Sequence, residues 1–136
     1  MPDINGKTLL VGLLATPIRH SNSPRMQSEA FAMTGVNCVQ LAFEVGNEQL
    51  EDAVKGLRAL GAVGFNVSMP NKRMVTQYLD ELSTAAALSG SVNTVVNDNG
   101  RLIGHNTDGY GFWESLRRNN IEFVSKKATL VGPGGV

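Results

Sequence analysis

Short apolar segments alternate with amphipathic helical segments along most of this chain of 136 residues. Residues 9–14 include no polar side chain, which is typical of a strand that is covered on both faces. Leu50, Val54 and Leu57 recur at helical spacing, and Gly61 follows them as a helix stop. The predicted order of elements is β-α-β-α-β-α-β-β-α followed by a final β. This order predicts an α/β fold in which a three-layer sandwich surrounds a mostly parallel sheet.

One antiparallel hairpin is predicted inside this sheet. Residues 92–97 and 101–106 have strand character, and Asp98, Asn99 and Gly100 lie between them. Asn-Gly between two strands is a strong signal for a two-residue turn, because both central residues need a positive φ. A helix is predicted to follow over residues 111–118, and residues 119–127 are polar enough to be a linker.

The composition limits the classes of partner. The chain is 42% hydrophobic and can bury one core, and its formal net charge is zero. Without a run of Lys or Arg, nucleic acid and an anionic membrane surface are disfavoured as partners. Cys38 has no second cysteine to pair with, and residues 9–15 are too few to span a bilayer. The sequence therefore predicts a cytoplasmic protein with a small-molecule substrate, and it leaves a homodimer open.

The last residues read as a strand followed by a glycine loop. Residues 128–131 are mostly apolar, and Gly132, Gly134 and Gly135 follow with Pro133 among them. A strand that leads into Gly-x-Gly is typical of the first turn of a dinucleotide-binding unit, although a plain turn is the alternative. We expect residues 1–108 to form a substrate-binding and catalytic domain and residues 109–127 to connect it onward. Residues 128–136 would be the first strand and glycine loop of a truncated dinucleotide-binding domain.

Three polar clusters follow apolar strands, where an open α/β sheet places its ligand crevice. The first cluster includes Ser21 and Ser23, which precede Pro24 at the start of a predicted helix. Two hydroxyl groups beside a helix N-terminus form a natural seat for a carboxylate. The alternative is that Ser23 is an ordinary N-cap and Ser21 is part of a loop.

The other two clusters supply a possible acid–base pair. Lys72 lies in the first helical turn after Pro70, where a positive charge is unfavourable because it opposes the helix dipole. A partner outside the helix would explain why a lysine occurs at this position. Asp108 follows a strand and precedes a helix, and it could face Lys72. The alternatives are a solvated lysine and an N-cap aspartate. Asn93 is a further candidate, with edge-strand hydrogen bonding as its alternative, and no metal site is predicted.

Taken together, these clusters resemble the shikimate dehydrogenase family. The matching stretches appear in the family's order and cover nearly the whole chain. They are Pro17-Ile18-Arg19-His20-Ser21-Asn22-Ser23-Pro24, Gly64-Phe65-Asn66-Val67-Ser68-Met69-Pro70-Asn71-Lys72, Ser91-Val92-Asn93-Thr94, Gly104-His105-Asn106-Thr107-Asp108-Gly109 and Gly132-Pro133-Gly134-Gly135.

The resemblance implies a substrate domain followed by a Rossmann domain, with reversible NADP- or NAD-dependent oxidation of shikimate to 3-dehydroshikimate. Ser21 and Ser23 would hold the substrate carboxylate, and Lys72 and Asp108 would be the catalytic pair that contacts the reacting hydroxyl. Ring hydroxyls would be bound by Asn93, with Ser68 and Thr107 in support, and the cofactor phosphates by Gly132, Gly134 and Gly135.

Two departures from the family pattern qualify this reading. The segment Ser68-Met69-Pro70-Asn71-Lys72 looks like the quinate/shikimate dehydrogenase branch, whose members accept both acids. Pro133 has no N–H to offer a phosphate. Since the chain holds little of a cofactor domain, we expect it to be inactive by itself. The alternative is a module that binds shikimate or quinate, or another partner, without catalysis.

Overall fold

The computed structural model describes residues 4–129 and 131. Six strands form one sheet in the order β2-β1-β3-β5-β6-β4. The strands are β1 (Leu9–Ala15), β2 (Cys38–Glu44), β3 (Gly64–Val67), β4 (Glu81–Leu82), β5 (Thr94–Asp98) and β6 (Arg101–His105). The helices are α1 (Ser23–Thr34), α2 (Leu50–Ala59), α3 (Asn71–Met74), α4 (Thr84–Ser89) and α5 (Asp108–Arg118), and a 3₁₀ turn over Val75–Tyr78 continues α3.

The strand directions confirm a mostly parallel sheet with one antiparallel hairpin. β1 pairs in parallel with both β2 and β3, and β4 pairs in parallel with β6. The hairpin joins β5 to β6 through Asn99 and Gly100, whose φ values are 51° and 93°. Since β5 lies between β3 and β6 and runs opposite to both, the β3–β5 pairing is antiparallel as well.

Helix α2 carries the apolar stripe that the sequence predicts. Leu50, Val54 and Leu57 are buried and belong to the same core as Leu14 and Phe65 of the sheet. Each such side chain contributes about 1.5–3 kcal/mol relative to an exposed position. Helices α1 and α5, by contrast, bury none of their residues. The core therefore joins the sheet and α2 to Val75 of the 3₁₀ turn and Ala86 of α4, whereas α1 and α5 contribute no buried side chain.

Several boundaries differ from the sequence-based expectation. The helix after Pro70 has only four residues before it tightens into the 3₁₀ turn, and α5 begins at Asp108 rather than at residue 111. Strand β4 was not predicted, because two residues are too few to show an alternating pattern. The expected strand over residues 128–131 is absent at Ala128, Thr129 and Val131, because a strand needs a hydrogen-bonded neighbour and no described residue pairs with them.

The glycines of the predicted phosphate loop, Gly132, Gly134 and Gly135, lie outside the described residues, as does Leu130. Within the described part, no helix combines the length and the apolar character needed to cross a bilayer.

Two glycines illustrate opposite constraints on the backbone. A Cβ atom at Gly64 would lie 2.5 Å from the backbone oxygen of Val95 on the neighbouring strand, which cannot move without breaking the sheet. A Cβ atom at Gly56, inside α2, would meet nothing within 4 Å. A side chain is therefore excluded at the first position and tolerated at the second.

We predict that Gly64→Ala lowers the free energy of unfolding by about 1–3 kcal/mol through overpacking. Gly56→Ala is the matched control and is expected to raise it by about 0.5–1 kcal/mol, since alanine is the better helix former. Urea unfolding followed by circular dichroism measures both. A Gly64→Ala chain as stable as the parent would contradict the close approach of β3 and β5.

Candidate active site

The predicted site residues follow strand ends that lie at one edge of the sheet. The loop after β1 leads to Ser21 and Ser23, β3 leads to Lys72, and β6 leads to Asp108. Asn93 precedes β5, whose reversed direction places its beginning at the same edge. Backbone hydrogen bonds join these loops: Thr16 N–H donates to the Met69 carbonyl oxygen at 3.2 Å. The topology therefore gathers residues that are far apart in sequence.

Lys72 and Asp108 form a direct, half-buried ion pair. The Nζ atom of Lys72 donates to Oδ2 of Asp108 at 2.7 Å. The exposed fractions of the two side chains are 16% and 27%. An ammonium group has three N–H donors, and the described residues use one of them here. Two donors of Lys72 thus stay available to a ligand beside the carboxylate.

Asn93 fixes the second oxygen of that carboxylate. Its Nδ2 atom donates to Oδ1 of Asp108 at 2.8 Å and to Oγ1 of Thr107 at 2.8 Å, and its Oδ1 atom accepts from the backbone N–H of Thr107 at 3.1 Å. Both N–H donors of the amide are therefore engaged inside the protein. Asn93 acts first as a support for Asp108, and only its oxygen retains a free lone pair for a ring hydroxyl.

The backbone of Lys72 is anchored from two sides. Its carbonyl oxygen accepts from the backbone N–H of Val92 at 2.8 Å. The preceding residue, Asn71, is fully buried and donates from Nδ2 to the Val45 carbonyl oxygen at 2.7 Å. Only the long side chain of Lys72 is then free to adjust, which keeps its ammonium group close to Asp108.

The alternative interpretation of Ser23 as the N-cap of α1 is wrong. The N-cap is Asn22, with φ −91° and ψ 0°, and Ser23 is the first helical residue, followed by Pro24. The hydroxyl of Ser21 accepts from the backbone N–H of Ser23 at 3.2 Å, so a tight turn fixes the chain one residue earlier than expected. The hydroxyls of Ser23 and Ser68 have no partner among the described residues. Their part in holding a substrate stays a prediction.

Two asparagines that were not predicted contact residues of the site: Asn66 donates to the Asn93 carbonyl oxygen at 3.3 Å, and Asn106 contacts Asp108. Asn66 lies in β3 and donates from Nδ2 to Oγ1 of Thr94 at 3.2 Å, while its Oδ1 atom accepts from Gln40 at 2.8 Å. Asn106 follows β6 and its Oδ1 atom accepts from the backbone N–H of Asp108 at 3.0 Å. An asparagine inside a strand is disfavoured by propensity, and that signal could have identified Asn66.

Other groups do not add to this site. Burial raises the pKa of the Cys38 thiol, which makes it a poor nucleophile at neutral pH. Over residues 4–129 and 131, no cluster of three or more His, Cys, Asp or Glu side chains could hold a metal ion. A groove of about 660 Å³ between α1 and β2 includes none of the predicted site residues.

The arrangement can move a proton at a bound hydroxyl or carbonyl group. Lys72 can exchange a proton with the ligand, while Asp108 holds the ammonium in place and accepts a hydrogen bond from the same ligand group. Such paired groups are typical of general acid–base catalysis.

Comparison with known proteins identifies the family of the chain. The protein-family model described as the shikimate dehydrogenase substrate binding domain matches residues 13–95. A curated relative, shikimate dehydrogenase (NADP(+)) from Listeria monocytogenes serotype 4b (strain F2365), is 55% identical over 132 residues. The match covers 97% of this chain and 45% of the relative, so the chain spans about half the length of the curated relatives it matches.

Solved structures share the fold. A shikimate 5-dehydrogenase from Listeria monocytogenes, in complex with shikimate and NAD, is 55% identical with a TM-score of 0.86, over 90% of this chain and 42% of that chain. The ligand-free form of a 5-ketofructose reductase of Gluconobacter sp. strain CHM43 is 38% identical with a TM-score of 0.80, over 84% of this chain and 41% of that chain.

We predict that Lys72 and Asp108 are coupled in folding stability. In a double-mutant cycle of Lys72→Met and Asp108→Asn, the coupling free energy should be about 1 kcal/mol, at the upper end of the range for surface pairs, because both side chains are half-buried. The same cycle on Lys55 and Glu51, a more exposed pair at 2.6 Å, serves as the control and should give a smaller coupling that weakens further in salt. No coupling between Lys72 and Asp108 would show that they are not paired in solution.

Proposed function

The chain belongs to the shikimate dehydrogenase substrate-binding domain family, and from this premise we propose that it binds shikimate and supplies the proton-transfer groups for its NADP- or NAD-dependent oxidation to 3-dehydroshikimate. The observation that carries the proposal is the 2.7 Å hydrogen bond between Lys72 and Asp108 at the edge of the sheet. Oxidation of a secondary alcohol releases a proton from oxygen and a hydride from carbon. Lys72 and Asp108 are groups that can take part in the transfer of that proton.

We assign the roles as follows. Lys72, once it has lost one proton to solvent and is a neutral amine, accepts the proton of the reacting hydroxyl during oxidation, and as an ammonium group it returns that proton to the carbonyl oxygen during reduction. Asp108 keeps the Lys72 nitrogen within reach and accepts a hydrogen bond from the substrate. The nicotinamide, when bound, supplies the hydride acceptor. The glycines expected to hold its phosphates, Gly132, Gly134 and Gly135, lie outside the described residues, and their role stays a prediction.

The rest of the site would recognise the acid. Ser21 and Ser23 stand at the start of α1, where hydroxyl groups and the helix dipole favour a carboxylate. Thr107 and Ser68, with the free lone pair of Asn93, would contact ring hydroxyls. Quinate has the same carboxylate and similar hydroxyls, so it belongs to the proposal as a second substrate. The buried, unpaired Cys38 supports a reducing, cytoplasmic setting.

The 5-ketofructose reductase shares the fold, but its substrate has no carboxylate. We therefore expect Ser21 and Ser23, the proposed carboxylate-binding residues, to distinguish the two substrates. Substitution of Ser21 and Ser23 together by alanine should weaken shikimate binding and leave any reduction of an uncharged ketose unchanged. The opposite result would favour a ketose as the natural substrate.

A second proposal concerns the 136-residue chain by itself. The proton-transfer pair, Ser21 and Ser23 all lie within the described residues, whereas the family's cofactor is expected to need further residues. The chain alone would then bind shikimate without oxidising it.

We predict that Lys72→Ala lowers kcat by about 10²-fold or more, as expected for loss of a general acid–base group. The test uses a joined enzyme, in which residues 1–136 are fused to the remaining half of the Listeria monocytogenes relative. Its activity with shikimate is followed by nicotinamide absorbance. Arg73→Ala is the control, because Arg73 is the next residue of α3 and is exposed. A Lys72→Ala enzyme with unchanged kcat would contradict the assignment.

For the isolated chain, calorimetric titration should detect shikimate binding, and Ser21→Ala should weaken it by about tenfold, equivalent to the loss of one hydrogen bond to a charged group. The nicotinamide assay should show no turnover. Turnover by the 136-residue chain would contradict the second proposal, and the absence of shikimate binding by both this chain and the joined enzyme would contradict both.

A further inference from the structure

Asn106 joins the start of α5 to the loop before β5. Its Oδ1 atom accepts from the backbone N–H of Asp108 at 3.0 Å. Its Nδ2 atom donates to Oγ of Ser91 at 2.8 Å and to the carbonyl oxygen of Ser91 at 3.1 Å, with Oγ of Ser89 at 3.1 Å. One amide group therefore bridges the residue that carries the carboxylate and a loop that is fixed in the fold, since Ser91 is 1% exposed.

The same loop fixes the lysine side of the pair. Ser91 holds Asn106, the backbone N–H of Val92 donates to the carbonyl oxygen of Lys72, and Asn93 donates to the carboxylate of Asp108. Three consecutive residues thus set the positions of both members of the ion pair.

Asn106 and Asn93 hold the first turn of α5 by hydrogen bonds to Thr107 and Asp108. The helix buries none of its residues, and its N-cap Thr107 makes no side-chain capping bond. Hydrogen bonds rather than packing must then determine where Asp108 begins the helix. Loss of the Asn106 bridge would release the backbone N–H of Asp108, while Asn93 would still hold the Asp108 carboxylate and the backbone N–H of Thr107.

We propose that Asn106 is a positioning residue. It fixes the distance between the Asp108 carboxylate and the Lys72 ammonium, and proton transfer depends on that distance. The inference rests on the proposed function for its kinetic consequence. A displacement of about 1 Å in a catalytic group can lower a rate by about 10²-fold, so the effect should appear in kcat rather than in substrate binding.

Two substitutions separate the two halves of the bridge. Asn106→Ala removes both halves. Asn106→Ser retains an oxygen that can accept from the N–H two residues later, as Ser21 does for Ser23, and removes the contacts with Ser89 and Ser91. In the joined enzyme, Asn106→Ala should lower kcat by about 10²-fold with little change in KM, and Asn106→Ser should be intermediate.

Asn97 provides a matched control. Its side chain also bridges two loops, with Nδ2 donating to the Ala62 carbonyl oxygen at 2.8 Å and Oδ1 accepting from the Gly100 N–H at 2.7 Å, but at the opposite end of β5. Asn97→Ala should lower the melting temperature and leave kcat unchanged. If Asn97→Ala and Asn106→Ala lower kcat equally, Asn106 is only structural and the proposal fails.

Two further measurements close the test. In a Lys72→Ala background, Asn106→Ala should have almost no additional effect on kcat, because the pair it positions is already lost; an undiminished effect would overturn the proposal.

Crystal structures of the Asn106→Ala and Asn97→Ala chains give a readout that does not depend on activity. The Nζ–Oδ2 hydrogen bond should be lost only in the Asn106→Ala chain, and its persistence there would overturn the proposal even if the parent oxidises shikimate. If the parent enzyme shows no dehydrogenase activity but the Asn106→Ala chain loses the Nζ–Oδ2 hydrogen bond, only the proposed function would be refuted.

Discussion

The hydrogen bond between Lys72 and Asp108 joins residues 36 positions apart in sequence, and the rest of the candidate site is arranged around it. It can form because β3 and β6 point the same way with β5 reversed between them. The ends of two strands and the start of a third then lie at one edge, and the loop before β5 contacts both partners. A fully parallel sheet would place the start of β5, and Asn93 with it, at the opposite edge.

The helices differ in how much of their surface they bury. Helix α2 packs its apolar stripe against the sheet and contributes Leu50, Val54 and Leu57 to the core. Ser23 begins α1 and Asp108 begins α5, and neither helix buries a side chain. Helix α5 also exposes Tyr110, Phe112 and Trp113, and the rings of Tyr110 and Trp113 lie 5.9 Å apart. Asp108, at the start of α5, is held by hydrogen bonds with Lys72, Asn93 and Asn106.

Much of this fold could be predicted from local patterns. The amphipathic spacing of α2, the glycine stops and the Asn-Gly turn of the hairpin each depend on residues close in sequence, and all three were confirmed. Predictions failed where the outcome depended on a neighbour. Ser23 is not the N-cap, because the hydroxyl of Ser21 turns the chain one residue earlier. Strand β4 exists only because β6 offers it a hydrogen-bonded edge.

The sequence alone determined the class of the fold, the family and the list of polar residues with a possible role in chemistry, because these depend on residue type and spacing. Only the tertiary structure decided how those residues divide the work. It engages both donors of Asn93 within the protein, and it gives Asn106 a bridging position that spacing did not reveal. Among the described residues it leaves two donors of Lys72 without a protein partner. The physical reason is that a hydrogen bond depends on the distance and the angle between its donor and acceptor. In this fold, strands that are remote in sequence determine both quantities.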